Sequence, residues 1–286
     1  MKLSCTSVML PRWTLDETFD KLAAYGYDGV ELRCRPRPDG DGEPAFWGLH
    51  FSDVSPDNVV EKSAHIKAAV KRSGVQVIAL APQCKLGDEP HLEKLINGAL
   101  AISEEKPPMI RIQGERHNRD EPYQPQFDRV RKGFAELVEV ARKRGVKILY
   151  EIHVGTVAVS ASRTLELLRD LDPNHIGAIY DVPNMVRVGL EETRLGVELL
   201  GPYLAHCHIG NARPVQEGPD DTGALNWKWE FCSLTEGVAD IRQIVGDLSA
   251  VNYRGYLSLE EFGPGDDDEK VKEQGAYLHK LIAATD

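Results

Sequence analysis

Tyr203-Leu204-Ala205-His206-Cys207-His208-Ile209-Gly210 decides how this chain folds. An apolar run ends in two imidazoles spaced two apart, and a glycine follows. Residues two apart on a strand stand on one face. His206 and His208 therefore share a side, with Ala205, Cys207 and Ile209 opposite. Three other apolar runs also end in chemistry: Ile148-Leu149-Tyr150-Glu151-Ile152-His153, Ile179-Tyr180-Asp181 and Tyr256-Leu257-Ser258-Leu259-Glu260-Glu261.

Outward from these runs, eight strand-like segments alternate with helical ones. Strands are predicted at 2–9, 28–33, 75–81, 109–114, 147–153, 176–182, 203–209 and 255–261. Helices are predicted at 14–25, 57–73, 90–105, 125–144, 161–170, 191–200, 236–252 and 268–283, the sixth short and broken at Gly196. Strand–helix alternation implies βαβ units and a parallel sheet. Eight units in 286 residues imply an α/β fold closed into a single-domain (β/α)8 barrel over 1–286. Local signals agree. Thr14 and Glu17 make a capping box, and Arg142-Lys143-Arg144-Gly145 is a basic helix end with a glycine stop. Asp266-Asp267-Asp268-Glu269 suits a helix start, where acids meet the positive end of the dipole. The segments 34–56, 114–126 and 210–235 are expected to be long loops at the C-terminal ends of strands, where barrels carry their sites.

Alternation selects the inward groups. Leu257 and Leu259 face the helices, so Glu260 rather than Glu261 points into the barrel. Glu151 shares a face with His153, and Asp181 shares one with Ile179 and Gly177. The last four barrel strands thus offer Glu151, Asp181, His208 and Glu260 at one mouth. Three carboxylates so close would repel, and a divalent cation resolves the conflict. Three oxygens and one imidazole favour Mn²⁺, with Mg²⁺, Co²⁺ and Zn²⁺ compatible. Arg33 and Gln113 are inward at the mouths of the second and fourth strands, as candidate substrate contacts. Glu31 and Arg111 lie deeper and are expected to pair with each other. Trp47, His50, Trp227 and Trp229 stand in the loops as substrate walls or anchors.

Bulk composition narrows the function classes. A net charge of −11 argues against nucleic-acid and acidic-membrane partners. No apolar run is long enough to span a bilayer, and Met1-Lys2-Leu3-Ser4-Cys5 is too short and polar for a signal peptide. The 5 cysteines are odd in number and widely spaced. They fit buried fillers in a reducing cytoplasm better than a disulfide framework or zinc ribbon. Acids in Gly263-Pro264-Gly265-Asp266-Asp267-Asp268 would repel a phosphate after the last strand, so the substrate is expected to be non-phosphorylated.

These runs, together with Lys2-Leu3 and Tyr27-Asp28-Gly29-Val30-Glu31-Leu32, resemble the xylose-isomerase-like barrel superfamily. That superfamily includes sugar isomerases, ketose 3-epimerases, inosose isomerases and dehydratases. The resemblance covers the whole chain. It implies a metal site at Glu151, Asp181, His208 and Glu260, with the second histidine of the H-x-H strand as ligand and His206 supporting it from below. It implies that Glu151 and Glu260 act as the proton-transferring pair. It also implies that His153 touches a substrate hydroxyl and that Arg213 lies near a substrate-binding position. Asn184 stands where many relatives carry a histidine. The DNA-repair branch needs further His and Asp ligands that this chain lacks. Small carbohydrates are the implied partners, with a dimer, a tetramer or a partner subunit as the implied assembly.

The expected reaction is isomerisation or epimerisation of a keto-sugar or keto-inositol through a metal-stabilised enediolate. A lyase on the same scaffold, either an inosose-type dehydratase or a C-glycoside-cleaving subunit, is the alternative. A non-catalytic sugar-binding barrel is the third reading.

Overall fold

The computed structural model describes every residue except Asp39, Asp41 and Asp286. Eight parallel strands close into the expected barrel: β1 (Lys2–Thr6), β2 (Gly29–Arg33), β3 (Gln76–Ala81), β4 (Met109–Ile112), β5 (Ile148–Glu151), β6 (Ile176–Asp181), β7 (Leu204–Ile209) and, last in the chain, β10 (Tyr256–Leu259). Around them lie α1 (Leu15–Ala24), α2 (Val59–Ser73), α3 (Glu89–Ile102), α4 (Tyr123–Arg144), α5 (Ala161–Leu168), α6 (Val182–Met185), α7 (Thr193–Leu200), α8 (Ile241–Ala250) and α9 (Asp267–Ala283). The local stops behave as their chemistry requires. Thr14 and Glu17 cap one another's backbone at α1, Gly145 ends α4 at φ 67°, and Asp266 caps α9. All 5 cysteines are free and buried.

Three expectations need correction. The segment 210–235 is not a loop but an antiparallel hairpin of β8 (Asn211–Pro219) and β9 (Leu225–Cys232). Its strand period is plain in Trp227-Lys228-Trp229-Glu230-Phe231, but prolines and glycines in its first arm obscure it. Second, α7 is continuous through Gly196, which lies where a side chain would press on Ala161. Third, Ala205 does not face the helices. The β6–β7 register jumps from Ala178↔Leu204 to Ile179↔His206, a bulge that turns Ala205 inward.

Most of the core lies between strands and helices and includes Cys34, Cys207, Leu257 and Leu259. Inside the barrel the side chains stack in layers. The floor is apolar: Ile78, Ala79, Leu149 and Ile179, with Met109, Ala205 and Tyr256 packed against them. Above it comes a fully buried polar layer containing Ser4, Glu31, His206 and Ser258. The carboxylates at the strand ends lie above that. Gly177 is what lets the bulged Ala205 into the floor, because a Cβ there would stand 2.3 Å from the Ala205 Cβ. Gly177→Ala should therefore overpack the floor and cost about 1–3 kcal/mol of unfolding free energy. A lowered urea midpoint would register it; an unchanged midpoint would mean the floor is loose.

Candidate metal centre

β7 delivers His208 into a nest of carboxylates. Its Nδ1 lies 3.0 Å from Asp181 Oδ2 and 3.0 Å from Glu260 Oε2. Glu151 Oε1 is 3.5 Å away. One ligand atom from each of Glu151, Asp181, His208 and Glu260 lies within 4.8 Å of the others, and all four residues are buried. Each is placed by a local device. Gly210 lets β7 close on β10, since a Cβ there would meet Glu260 O at 2.1 Å. Asp181 caps α6, where its Oδ1 accepts the Asn184 N–H at 2.8 Å while Oδ2 faces His208. Arg111 donates to Glu151 Oε1 at 2.6 Å and to Pro82 O at 3.2 Å.

The far side of the imidazole is also held. Glu31 Oε2 lies 2.7 Å from His208 Nε2 and 3.2 Å from His206 Nε2. Glu31 and Arg111 were expected to pair with each other, but they do not form an ion pair. Glu31 anchors the two histidines from below, and Arg111 anchors Glu151 from the side. A carboxylate on Nε2–H leaves Nδ1 as the lone pair that faces Glu151, Asp181 and Glu260, an arrangement that orients histidines towards metals. The donor set therefore fits a divalent ion.

The charges are interlocked. Burial works against ionising Glu31, but His208 and His206 outweigh it and hold its carboxyl well below the usual range. Burial likewise opposes a charged His208, yet Glu260, Glu31 and Asp181 raise its pKa well above the ordinary value. Burial lowers His206, with Glu31 only partly compensating. Asp181 is lowered because hydrogen bonding to His208 overcomes burial. Glu260 goes the other way. Burial, reinforced by Asp181 and Glu151, pushes it up to about 7 despite His208. For Arg111, burial is outweighed by Glu151, Glu31 and Glu260, which hold it charged.

A cleft of about 1250 Å³ runs between α3 and α4 to this centre, and Gln113, Glu151, His153, Thr156 and Arg116 are among its lining residues. His153 donates Nδ1–H to Val154 O at 2.8 Å. Asn184 is buried, and its Oδ1 accepts the Val154 N–H at 3.3 Å, tying the loop after β5 to the start of α6. Arg33 is buried at the end of β2, with Nη2 donating to Gly48 O at 2.8 Å. The structure does not bring Arg213 to the carboxylates. It lies on β8, half exposed, 3.6 Å from Glu236. Trp47 packs on Phe262 at a centroid distance of 4.9 Å, and Phe46 and Phe231 pack on the same ring. Trp227 and Trp229 are exposed on the hairpin. His50 is buried against Phe46 O, and burial with repulsion from Arg33 takes it down to about 4. Sequence reasoning missed the hold of Glu31 on the two histidines and the burial of Arg35. Both residues lie on the inward phase of Gly29-Val30-Glu31-Leu32-Arg33-Cys34-Arg35, so period-two alternation alone could have marked them.

A family profile described as xylose isomerase-like TIM barrel matches residues 19–281. The inosose dehydratase of Lactiplantibacillus plantarum is 27% identical over 176 residues, covering 58% of each chain. The match thus spans less than two thirds of that relative. The 3-keto-D-glucoside 4-epimerase from E. coli superposes with a TM-score of 0.71 at 16% identity, over 98% of this chain and 99% of that one. The probable 3-DHS dehydratase involved in petrobactin synthesis from Bacillus anthracis gives 0.73 at 17%, over 98% and 99%. At such identities the likeness is one of fold. No helix among the described residues is long and apolar enough to cross a membrane.

Two outcomes follow from the geometry. Glu31→Gln keeps the hydrogen-bond shape but weakens the hold on Nε2–H. Mn²⁺ affinity should fall about 10–100-fold in calorimetric titration, and unchanged affinity would remove Glu31 from the centre. The second concerns pH. The raised pKa values of Glu260 and His208 mean that the metal-free fold binds more protons there than the unfolded chain. Their stabilisation is complete below the ordinary values and is lost as pH rises through the folded ones. The metal-free melting temperature should fall from about pH 7 to about pH 8, above the range in which the lowered His206 and His50 act in the opposite sense, while added Mn²⁺ stabilises more strongly over the same interval. A metal-free melting temperature that rises there would contradict these shifts.

Proposed function

We propose that this chain, which belongs to the xylose isomerase-like TIM-barrel family, is a divalent-metal-dependent enzyme that isomerises or epimerises a polyhydroxylated ketone. The observation that carries the reading is the buried set Glu151, Asp181, His208 and Glu260, reached by an open cleft that Glu151 lines. When bound, a divalent ion (Mn²⁺ first, with Mg²⁺, Co²⁺ and Zn²⁺ suiting the same oxygen-rich set) supplies Lewis-acid polarisation of the hydroxy-ketone.

The chain's own residues divide the remaining work. Glu260, one of the four grouped ligands, is the base or acid on one face of the substrate. Glu151 is held by Arg111 in a fixed orientation and serves the other face. His153 and Gln113 line the cleft and meet substrate hydroxyls. Asn184 keeps Asp181 and the loop after β5 in register. Roofing rings at Phe46, Trp47 and Phe262 limit water above the mouth.

Dehydration is the second reading. The relative named inosose dehydratase favours it, and a protonated Glu260 could equally donate to a departing hydroxyl. Both reactions begin by removing the proton beside the carbonyl. Incubation of candidate keto-sugars and keto-inositols in deuterated water separates them, because deuterium at carbon without loss of mass marks isomerisation and loss of water marks dehydration. Glu260→Gln should lower turnover by at least about 100-fold even at Mn²⁺ concentrations that saturate the variant. Near-normal turnover would show that Glu260 is not the proton-transferring group.

A further inference from the structure

β2 ends at Arg33, the chain runs on through Cys34 to Arg35, and Cys34 packs into the outer core. Both guanidiniums therefore fall on the inward side. Each residue is only 3% exposed. Among the described residues the Arg33 guanidinium gives one hydrogen bond, to Gly48 O, and its Nε–H is buried without a partner. Arg35 gives one, from Nε to Ala81 O at a long 3.4 Å, and its guanidinium lies 5.0 Å from the centroid of the Trp47 ring. Among the described residues no carboxylate forms an ion pair with either, whereas Arg111 beside them has Glu151 at 2.6 Å. Burial takes Arg33 down to about 10. Burial, with repulsion from Arg111 and Arg33, takes Arg35 down to about 9. Two buried cations that have no ion-pair partner among the described residues and repel each other are costly to maintain.

Their location gives the cost a purpose. Arg35 and Arg111 donate to the adjacent carbonyls of Ala81 and Pro82, so their guanidiniums meet at the end of β3. Arg111 in turn touches Glu151 of the candidate centre. With a divalent ion bound and His208 neutral, Arg33, Arg35, Arg111 and the ion outweigh Glu31, Glu151, Asp181 and Glu260 by a single positive charge. One monoanion balances the mouth, whereas a phosphate dianion overfills it.

We infer that Arg33 and Arg35 form a carboxylate-binding subsite, so that the substrate is a polyhydroxylated keto-acid anion rather than a neutral sugar. This rests on the metal-dependent reading above, since the ion's charge enters the balance. The guanidinium fork matches a planar carboxylate. Trp47 and Gly48 lie against the two arginines, and a substrate carboxylate takes over the Arg33 donor held by Gly48 O.

Shikimate and its methyl ester are suitable probes, because they share vicinal hydroxyls and differ only in a charge placed across the ring. Titration calorimetry on Mn²⁺-loaded protein should give shikimate at least about 10-fold tighter binding than the ester. Arg33→Gln and Arg35→Gln should each abolish that preference with Mn²⁺ content unchanged, and Arg35→Lys, the variant that keeps charge and fold, should retain part of it. Equal affinity for acid and ester in the wild-type protein overturns the inference, as does a preference that survives both glutamine variants. Inorganic phosphate that binds through these arginines while shikimate does not also overturns it. Failure of the wild-type protein to hold Mn²⁺ would instead sink the metal reading. The acid-over-ester comparison, repeated without metal, then still decides the arginine pair.

Discussion

The contact on which the site depends is the imidazole of His208 wedged between carboxylates. Glu31 grips Nε2 from below at 2.7 Å, while Asp181 and Glu260 meet Nδ1 from above at 3.0 Å each. One ring thus links β2, β6, β7 and β10 across the barrel interior. Without a metal it is the positive charge that lets buried carboxylates ionise beside one another. With a metal, Glu31 keeps the ring turned so that a lone pair, rather than an N–H, faces the ion. The same geometry serves both states, with a proton exchanged for an ion.

This arrangement needs a rigid floor and a precise height. The bulge at Ala205 adds a residue to β7 below the histidines and lifts His206 and His208 into register with Ile179 and Asp181. Gly177 makes room for that extra residue, and Gly210 lets the end of β10 approach closely enough for Glu260 to reach the centre. Apolar packing below, buried polar groups in the middle and carboxylates above form one column. Both histidines are fully buried, so it is the number of facing carboxylates that leaves the deeper His206 lowered while His208 is raised.

Much of this was legible in the sequence. The strand–helix alternation gave the barrel, and period-two alternation gave the inward choice of Glu260 over Glu261 and the meeting of Glu151, Asp181, His208 and Glu260. What failed was anything set by pairing across strands. A bulge is invisible to periodicity, so Ala205 was assigned to the wrong face. Side-chain partners are chosen by strand neighbours and height rather than by position along one strand, so Glu31 and Arg111 were matched with each other instead of with His208 and Glu151. The hairpin at β8 and β9 was hidden because proline and glycine in its first arm imitate a loop. Arg213 was placed by resemblance alone, and in this chain the hairpin carries it outward.

The most direct test of the central claim is a crystal grown with Mn²⁺ and measured for anomalous scattering at the manganese edge. The account predicts one strong peak among Glu151, Asp181, His208 Nδ1 and Glu260, with His208 Nε2 still on Glu31. A peak elsewhere, or none at full Mn²⁺ saturation, would contradict it.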